Sequence, residues 1–141
     1  MCQPGEIVVI EKFLDSEKHE NTRHSFVVLS NESGKIEGID YNIVLALMSS
    51  FRGKPDGYKA KKLKYPWNIH ITTLDTDMLS GNNEEGFIKC NQLHYFDLTE
   101  DEINIIGSVN ATVWDKINEA LDKYEDKIII NTYNLKTDED C

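Results

Sequence analysis

Apolar and polar positions along this 141-residue chain fall into short β-type runs first and a helical stretch later. Ile7-Val8-Val9-Ile10 follows the turn pair Pro4-Gly5 and is β-branched throughout, which predicts a strand. Residues 14–22 are polar and read as a loop. Phe26-Val27-Val28-Leu29 predicts a second strand, ended by the turn cluster Ser30-Asn31-Glu32-Ser33-Gly34. The apolar run 43–48 predicts a third strand, buried on both faces. A loop carrying Gly53, Pro55 and Gly57 follows it. From Asn68 to Thr73, Ile69 and Ile71 alternate with His70 and Thr72, the mark of a half-buried strand. A polar loop at 75–86 precedes two short strands, Phe87 to Cys90 and Leu93 to Phe96.

The period then changes. Thr99-Glu100-Asp101-Glu102 has the capping-box spacing, with acidic residues in the first turn. Ile103, Ile105 and Ile106 would give that helix an apolar side and Gly107 its stop. A second helix is predicted from Ala111 to Tyr124, because Val113, Trp114, Ile117, Leu121 and Tyr124 share one face. Ile128-Ile129-Ile130 suggests an added edge strand, and the chain end, with Asp138-Glu139-Asp140, is expected to be disordered. Six or seven strands followed by helices predict a mostly β, α+β fold: a small barrel-like sheet covered by C-terminal helices. One domain, residues 1–127, with an extension at 128–141, suits the length.

Charge changes this picture. The net charge is −10, which taken alone argues against a nucleic-acid partner. Between residues 52 and 64, however, Arg52, Lys54, Lys59, Lys61, Lys62 and Lys64 face only Asp56, so this stretch is +5 and the rest is −15. A basic island on an acidic body is either a phosphate site or a solvated lysine loop. Three cysteines, Cys2, Cys90 and Cys141, form no C-x-x-C pair and imply no disulfide framework. No apolar run approaches the roughly 20 residues of a spanning helix. A cytoplasmic protein with no membrane association is therefore expected.

Known local signatures are absent: no P-loop, no H-E-x-x-H, no nucleophile elbow. His19, His24, His70 and His94 lack metal-ligand spacing, so neither metal nor cofactor is expected. Arg23 stands where a polar loop enters an apolar strand. It could grip phosphate through two hydrogen bonds, or form a surface ion pair. Ser49 ends a buried strand, where its hydroxyl could be aimed by a rigid element or could bond its own backbone. Phe51, Tyr58, Tyr65 and Trp67 interleave with the basic residues. That combination suits single-stranded nucleic acid, although Phe51 and Trp67 could equally be core residues.

These pieces, in this order, resemble the MazF/PemK toxin family. Pro4-Gly5-Glu6-Ile7-Val8-Val9 resembles its opening G-[DE]-I-V strand. Thr22 through Asn31 resembles its R-P-x-x-V-x-S-N segment, and Ala46-Leu47-Met48-Ser49-Ser50 its strand ending in Ile-Thr. Tyr65-Pro66-Trp67-Asn68-Ile69 is similar to its Y-P-x-x-[VI] strand start. Asn91-Gln92-Leu93 with Asp97 is similar to E-Q-I-x-x-I-D. Ile106-Gly107 and Trp114 to Leu121 stand where the family has its closing helix. The resemblance covers residues 4–124. The family's Pro after the catalytic Arg is His24 here, and the Ser before its Glu-Gln strand is Gly86.

The resemblance implies an SH3-like, CcdB-like barrel, a homodimer, a cognate antitoxin, and cleavage of single-stranded RNA without a metal. The 2′-hydroxyl would attack the adjacent phosphate and leave a cyclic phosphate. Arg23 maps onto the family's catalytic Arg and Ser49 onto its Thr. His24, with an unperturbed pKa of about 6.5, is a candidate base, as is His19. RNA contacts are expected from Phe13, His19, Asn31, Phe51, Arg52, Lys54, Lys59, Lys61, Lys62 and Gln92. The alternative is a degenerate member that acts by binding RNA, an antitoxin or a protein such as gyrase, as CcdB-like toxins do. The chain end Thr137-Asp138-Glu139-Asp140-Cys141 lacks the Trp-Gly-Ile terminus of that group.

Overall fold

A computed structural model describes residues 2–14, 20–21, 23–81 and 83–133. In chain order the strands are β1 (Glu6–Ile10), β2 (Phe13–Leu14), β3 (Glu20–Asn21), β4 (His24–Ser30), β5 (Gly34–Ile36), β6 (Ile39–Tyr41) and β7 (Ile43–Ser50). Helix α1 (Tyr58–Leu63) follows, then β8 (Asn68–Ile71), β9 (Thr76–Met78), β10 (Gly86–Lys89), β11 (Gln92–Phe96) and β12 (Asn104–Val109). Helix α2 (Ala111–Lys123) and β13 (Ile129–Thr132) complete the described chain. Nine strands form one curled sheet in the order β13-β11-β7-β4-β1-β12-β9, with β10 pairing both β7 and β8. The fold is mostly β with a C-terminal helix, as the pattern predicts.

Strands β1, β4 and β7 hold the centre, and both of their faces are buried. On one face Val8, Ile10, Phe26, Val28, Ile43 and Leu45 join Phe13, Phe96 and Leu98. On the other, Ile7, Val27 and Ala46 meet Ile71, Ile88 and Cys90 beneath Val113, Ile117 and Ala120 of α2. Unbroken apolar runs are the signature of strands covered on both sides. Asn110 caps α2 by accepting a hydrogen bond from the Val113 N–H (2.9 Å), so the helix begins where its apolar stripe begins.

Three expectations change. The stretch from Thr99 is not a helix: Glu100–Glu102 make one 3-10 turn and the chain runs straight into β12. The Thr99 N–H does bond the Glu102 carboxylate at 2.8 Å, so the capping signal is real but local. Ile103, Ile105 and Ile106 favour an extended chain, and β12 finds an open ladder beside β1. Gly107 is therefore no helix stop. A Cβ there would lie 2.6 Å from the Asp77 carbonyl oxygen, so only glycine admits β9 alongside. The basic loop holds α1, and the polar loop at 75–86 contains β9. The triple isoleucine does supply an edge strand, since β13 pairs parallel with β11. The segment 134–141, including Asp138, Glu139 and Asp140, lies outside the described residues.

Candidate active site

The sheet register decides which side chains share a face. Ser25 pairs with Met48 at the end of the β4–β7 ladder, and His24 and Ser49 are the next residues on the two strands. Ser49 in turn pairs with Phe87 of β10, and Phe87 with His70 of β8. Ser49, Phe87 and His70 are directly opposed in turn, and His24 and Ser49 each lie two residues from the opposed pair Phe26 and Leu47, so all four share one face and form a row on it. The rings of Phe13 and Phe26 lie 5.8 and 6.4 Å from that of His24, which puts the imidazole on the Phe26 face.

Arg23 does not join this row. It precedes β4, is exposed, and its Nε lies 4.0 Å from Glu11 Oε1. That is the surface ion-pair arrangement. The Ser49 hydroxyl makes no hydrogen bond with any described residue, so it is not spent on its own backbone. Gly86 sits beside it for a steric reason: a Cβ on Gly86 would come 2.0 Å from the Ser49 carbonyl oxygen. A serine at 86 would push the strands apart.

Aromatic and basic groups border the row. Phe51 stacks on buried Phe87 at 5.4 Å, with Tyr58 of α1 edge-on at 6.3 Å. Lys54 and Lys62 lie over the Tyr58 ring at 5.5 and 5.4 Å. Two of the basic residues already have acidic partners. Arg52 meets Glu84 at 2.8 Å, and Lys59 meets Glu85 at 2.8 Å. These contacts hold both carboxyls below the usual carboxylate range. Glu85 also lies 2.6 Å from His70 Nε2. Lys61 is exposed. Beyond the row, a cavity of about 160 Å³ is lined by Tyr65, Trp67, Asn68, Lys89, Asn91 and Gln92. Tyr65 and Trp67 stack at 5.3 Å, and Asn68 Nδ2 donates to the Lys62 carbonyl (2.8 Å). That bond leaves Asn68 Oδ1 buried and unpartnered.

Other expected contacts are used inside the fold. Phe13 is 5% exposed and packs edge-on against Phe26, Phe96 and Tyr133. Asn31 Nδ2 holds the Cys2 carbonyl at 3.1 Å. His19 lies outside the described residues. Lys89, which sequence reasoning passed over, reaches the row: its Nζ lies 5.9 Å from the Phe87 ring centroid. Alternation carried the signal, because Lys89 is the one charged residue in the run Phe87-Ile88-Lys89-Cys90.

Electrostatics favour a neutral imidazole at the row. His24 is exposed at the start of β4, and the partial desolvation of its ring, and then the Lys89 charge, push its pKa below 6.5. His94, 4% exposed, is pushed down to about 4 by burial, Lys89 and His24. Its Nδ1 lies 2.6 Å from the Tyr133 hydroxyl. Burial raises the Cys90 thiol to about 12, so that cysteine is an inert core residue. Among the described residues no three His, Cys, Asp or Glu side chains gather as a metal site would need. No helix among them is long and apolar enough to cross a membrane.

On the opposite face, a cavity of about 110 Å³ is lined by Ser25, Met48, Ser50, Thr76 and Glu84 among others, and also touches Ser49. Its polar groups are largely engaged: Ser50 Oγ donates to Glu84 (2.7 Å) and Thr76 Oγ1 to Asn83 (3.0 Å).

A search among curated proteins returns no match. A family model does match, over residues 3–124, and it takes in every strand from β1 to β12 and all of α2. On that match the chain belongs to the PemK-like, MazF-like toxins of type II toxin–antitoxin systems.

Proposed function

We propose that this toxin is an endoribonuclease that cuts single-stranded RNA without a metal, using His24 and Ser49 as its reactive pair. Membership of a toxin family whose members are generally endoribonucleases supports the reaction class. The observation that carries the assignment is that His24 and Ser49 share a face just beyond the Ser25–Met48 pair, with both side chains free of hydrogen bonds to described residues. The R-P-x-x-V-x-S-N pattern, counted back from Ser30-Asn31, also puts its arginine position on residue 24.

In this reading neutral His24 takes the proton of the ribose 2′-hydroxyl, and Ser49 donates a hydrogen bond to a phosphoryl oxygen. A base works best when its pKa lies near the working pH, so that much of it is unprotonated and it still takes up a proton readily. The hydroxyl stabilises charge that grows on the phosphate as the 2′-oxygen attacks. Arg23, outside the row, serves as a binding cation together with Lys54, Lys61 and Lys62. The cavity beside Tyr65 and Trp67 takes a base, by stacking and by the amides of Asn68 and Gln92. The toxin acts in the cytoplasm, works as a homodimer and is silenced by its cognate antitoxin.

The test is incubation of the purified protein with a long unstructured RNA in EDTA, beside His24→Ala, Ser49→Ala and Arg23→Ala. Discrete fragments ending in cyclic phosphate are expected, lost with the first two variants and weakened with the third. Intact RNA with folded wild-type protein, across several sequences, would move the function to binding alone.

A further inference from the structure

We propose that Lys89 is a catalytic cation of this site, its ammonium gripping the phosphoryl oxygens while the His24 imidazole takes the proton. This deepens the RNA-cleavage reading and rests on it.

The chemistry needs two things from the face that carries Ser49. One is a proton acceptor and the other is a fixed positive charge, because the attacked phosphate becomes more negative. A neutral imidazole supplies only the first. Arg23 stands beside Glu11 and outside the row. Arg52 and Lys59 are engaged with Glu84 and Glu85. Lys89 has no carboxylate partner among the described residues.

Its position is set by rigid sheet. Phe87 is the cross-strand partner of Ser49, and Lys89 is two residues further on, hence on the same face. The Lys89 ammonium lies over the fully buried Phe87 ring, with Nζ 5.9 Å from its centroid. Lys89 also lines the cavity with Tyr65, Trp67 and Asn68. One side chain therefore borders both the reactive row and the aromatic recess, where successive nucleotides of one strand would lie. The charged and titratable groups around His24 are Lys89 and His94, with Lys62 acting on Lys89 in turn. Partial burial, and then the Lys62 charge, weaken Lys89's hold on its proton.

The step balances without a co-reactant. The 2′-oxygen bonds to phosphorus and passes its proton to His24. The P–O5′ bond breaks, and the 5′-oxygen leaves with the bonding pair and takes a proton from water. The His24 proton returns to solvent. Lys89 transfers nothing and holds the equatorial oxygens throughout.

The experiment compares wild type with Lys89→Met and Lys89→Arg on one RNA substrate in EDTA, each checked by thermal denaturation. It adds affinity for a 2′-deoxy-substituted oligomer that cannot be cut, and NMR titration of His24. Lys89→Met should cut kcat by about 100-fold or more, the scale of losing one charge-stabilising group at such a site. Affinity for the uncut oligomer should fall far less, and Lys89→Arg should restore most of kcat. The His24 pKa should rise in Lys89→Met, moving the acidic limb of the rate profile upward. Should the methionine variant fail to fold, Lys89→Gln takes its place. Cleavage by a folded charge-removing variant at the wild-type kcat would overturn the role of Lys89 and leave the nuclease reading standing. Absence of cleavage by the wild type would remove both.

Discussion

At the scale of single residues, two positions tie packing to chemistry. Gly86 is the first. Any side chain there meets the Ser49 carbonyl oxygen at 2.0 Å, and the obstacle is backbone that cannot swing aside. Gly86→Ser should destabilise the fold by about 1–3 kcal/mol, the usual cost of overpacking. Because the strain falls on Ser49, activity should drop further than the melting temperature suggests. Urea denaturation and RNA cleavage on the same preparation would check this, and a Gly86→Ser protein of unchanged stability would refute the close approach. His94 is the second. Its folded pKa of about 4 lies below the unfolded value of 6.5, so the folded state binds fewer protons. The stabilisation is full above pH 6.5 and is lost as pH falls from there toward 4. A shift of this size corresponds to roughly 3 kcal/mol. Urea midpoints should fall over that range, and His94→Gln should flatten the fall. A slope unaltered by His94→Gln would place the acid sensitivity elsewhere. The candidate row was only half legible at this scale. Ser49 was readable as a strand-end hydroxyl, while Arg23, expected beside it, lies one residue before β4 and next to Glu11. One residue is the whole difference between the two faces of a sheet.

At the scale of elements, the apolar periodicities that were long or β-branched predicted what formed. β1, β4, β7 and α2 lie where the pattern puts them, because their runs are long enough to fix one period. The failures are short. Thr99-Glu100-Asp101-Glu102 carries a helix-start signal, yet Ile103, Ile105 and Ile106 behind it are worth more in a ladder with β1 than in one helical turn. α1 was hidden among Gly53, Pro55 and Gly57, because six residues with no buried side chain leave no apolar stripe to read. β13 lies beyond the family-matched residues and still closes the sheet edge. Behind it Tyr133 stacks on Phe96 at 4.3 Å, meets Phe13 at 5.0 Å and touches His94 through its hydroxyl. Phe13 in turn borders His24, so this end of the chain braces the candidate site. Tyr133→Ala should cost about 3 kcal/mol, the low end for a large aromatic, since the ring is only half-buried. Tyr133→Phe keeps the stack and should cost about 1 kcal/mol for the lost hydrogen bond. Thermal melts of both variants would test the ordering, and equal losses would mean that the ring packing contributes nothing.

At the scale of the whole molecule, the question is how a chain of net charge −10 holds a polyanion. The structure divides the basic island. Arg52 and Lys59 are ion-paired, while Lys54, Lys61, Lys62 and Lys64 have no carboxylate partner among the described residues. Acidic residues elsewhere matter less near the site, because charges beyond about 8 Å are largely screened at physiological salt. Local unpaired lysines, not the net charge, should therefore set the affinity. Each phosphate neutralised on a single strand contributes about −0.7 to the slope of log affinity against log salt. These four lysines together with Lys89 predict a slope of about −3.5 on that rule. Glu84→Gln with Glu85→Gln would release Arg52 and Lys59. Both carboxylates are only half-buried, and glutamine keeps their size and one accepting oxygen, so the fold should tolerate the change. Two added contacts should raise affinity at low salt and steepen the slope by about 1.4. Fluorescence anisotropy with a 2′-deoxy-substituted oligomer, between about 50 and 200 mM salt, would measure it. A steeper slope means that Glu84 and Glu85 compete with RNA for the same cations and hold the island in check until a strand displaces them. An unchanged slope with unchanged affinity means that Arg52 and Lys59 brace the loop and never meet the phosphates, leaving Lys54, Lys61, Lys62, Lys64 and Lys89 to track the strand.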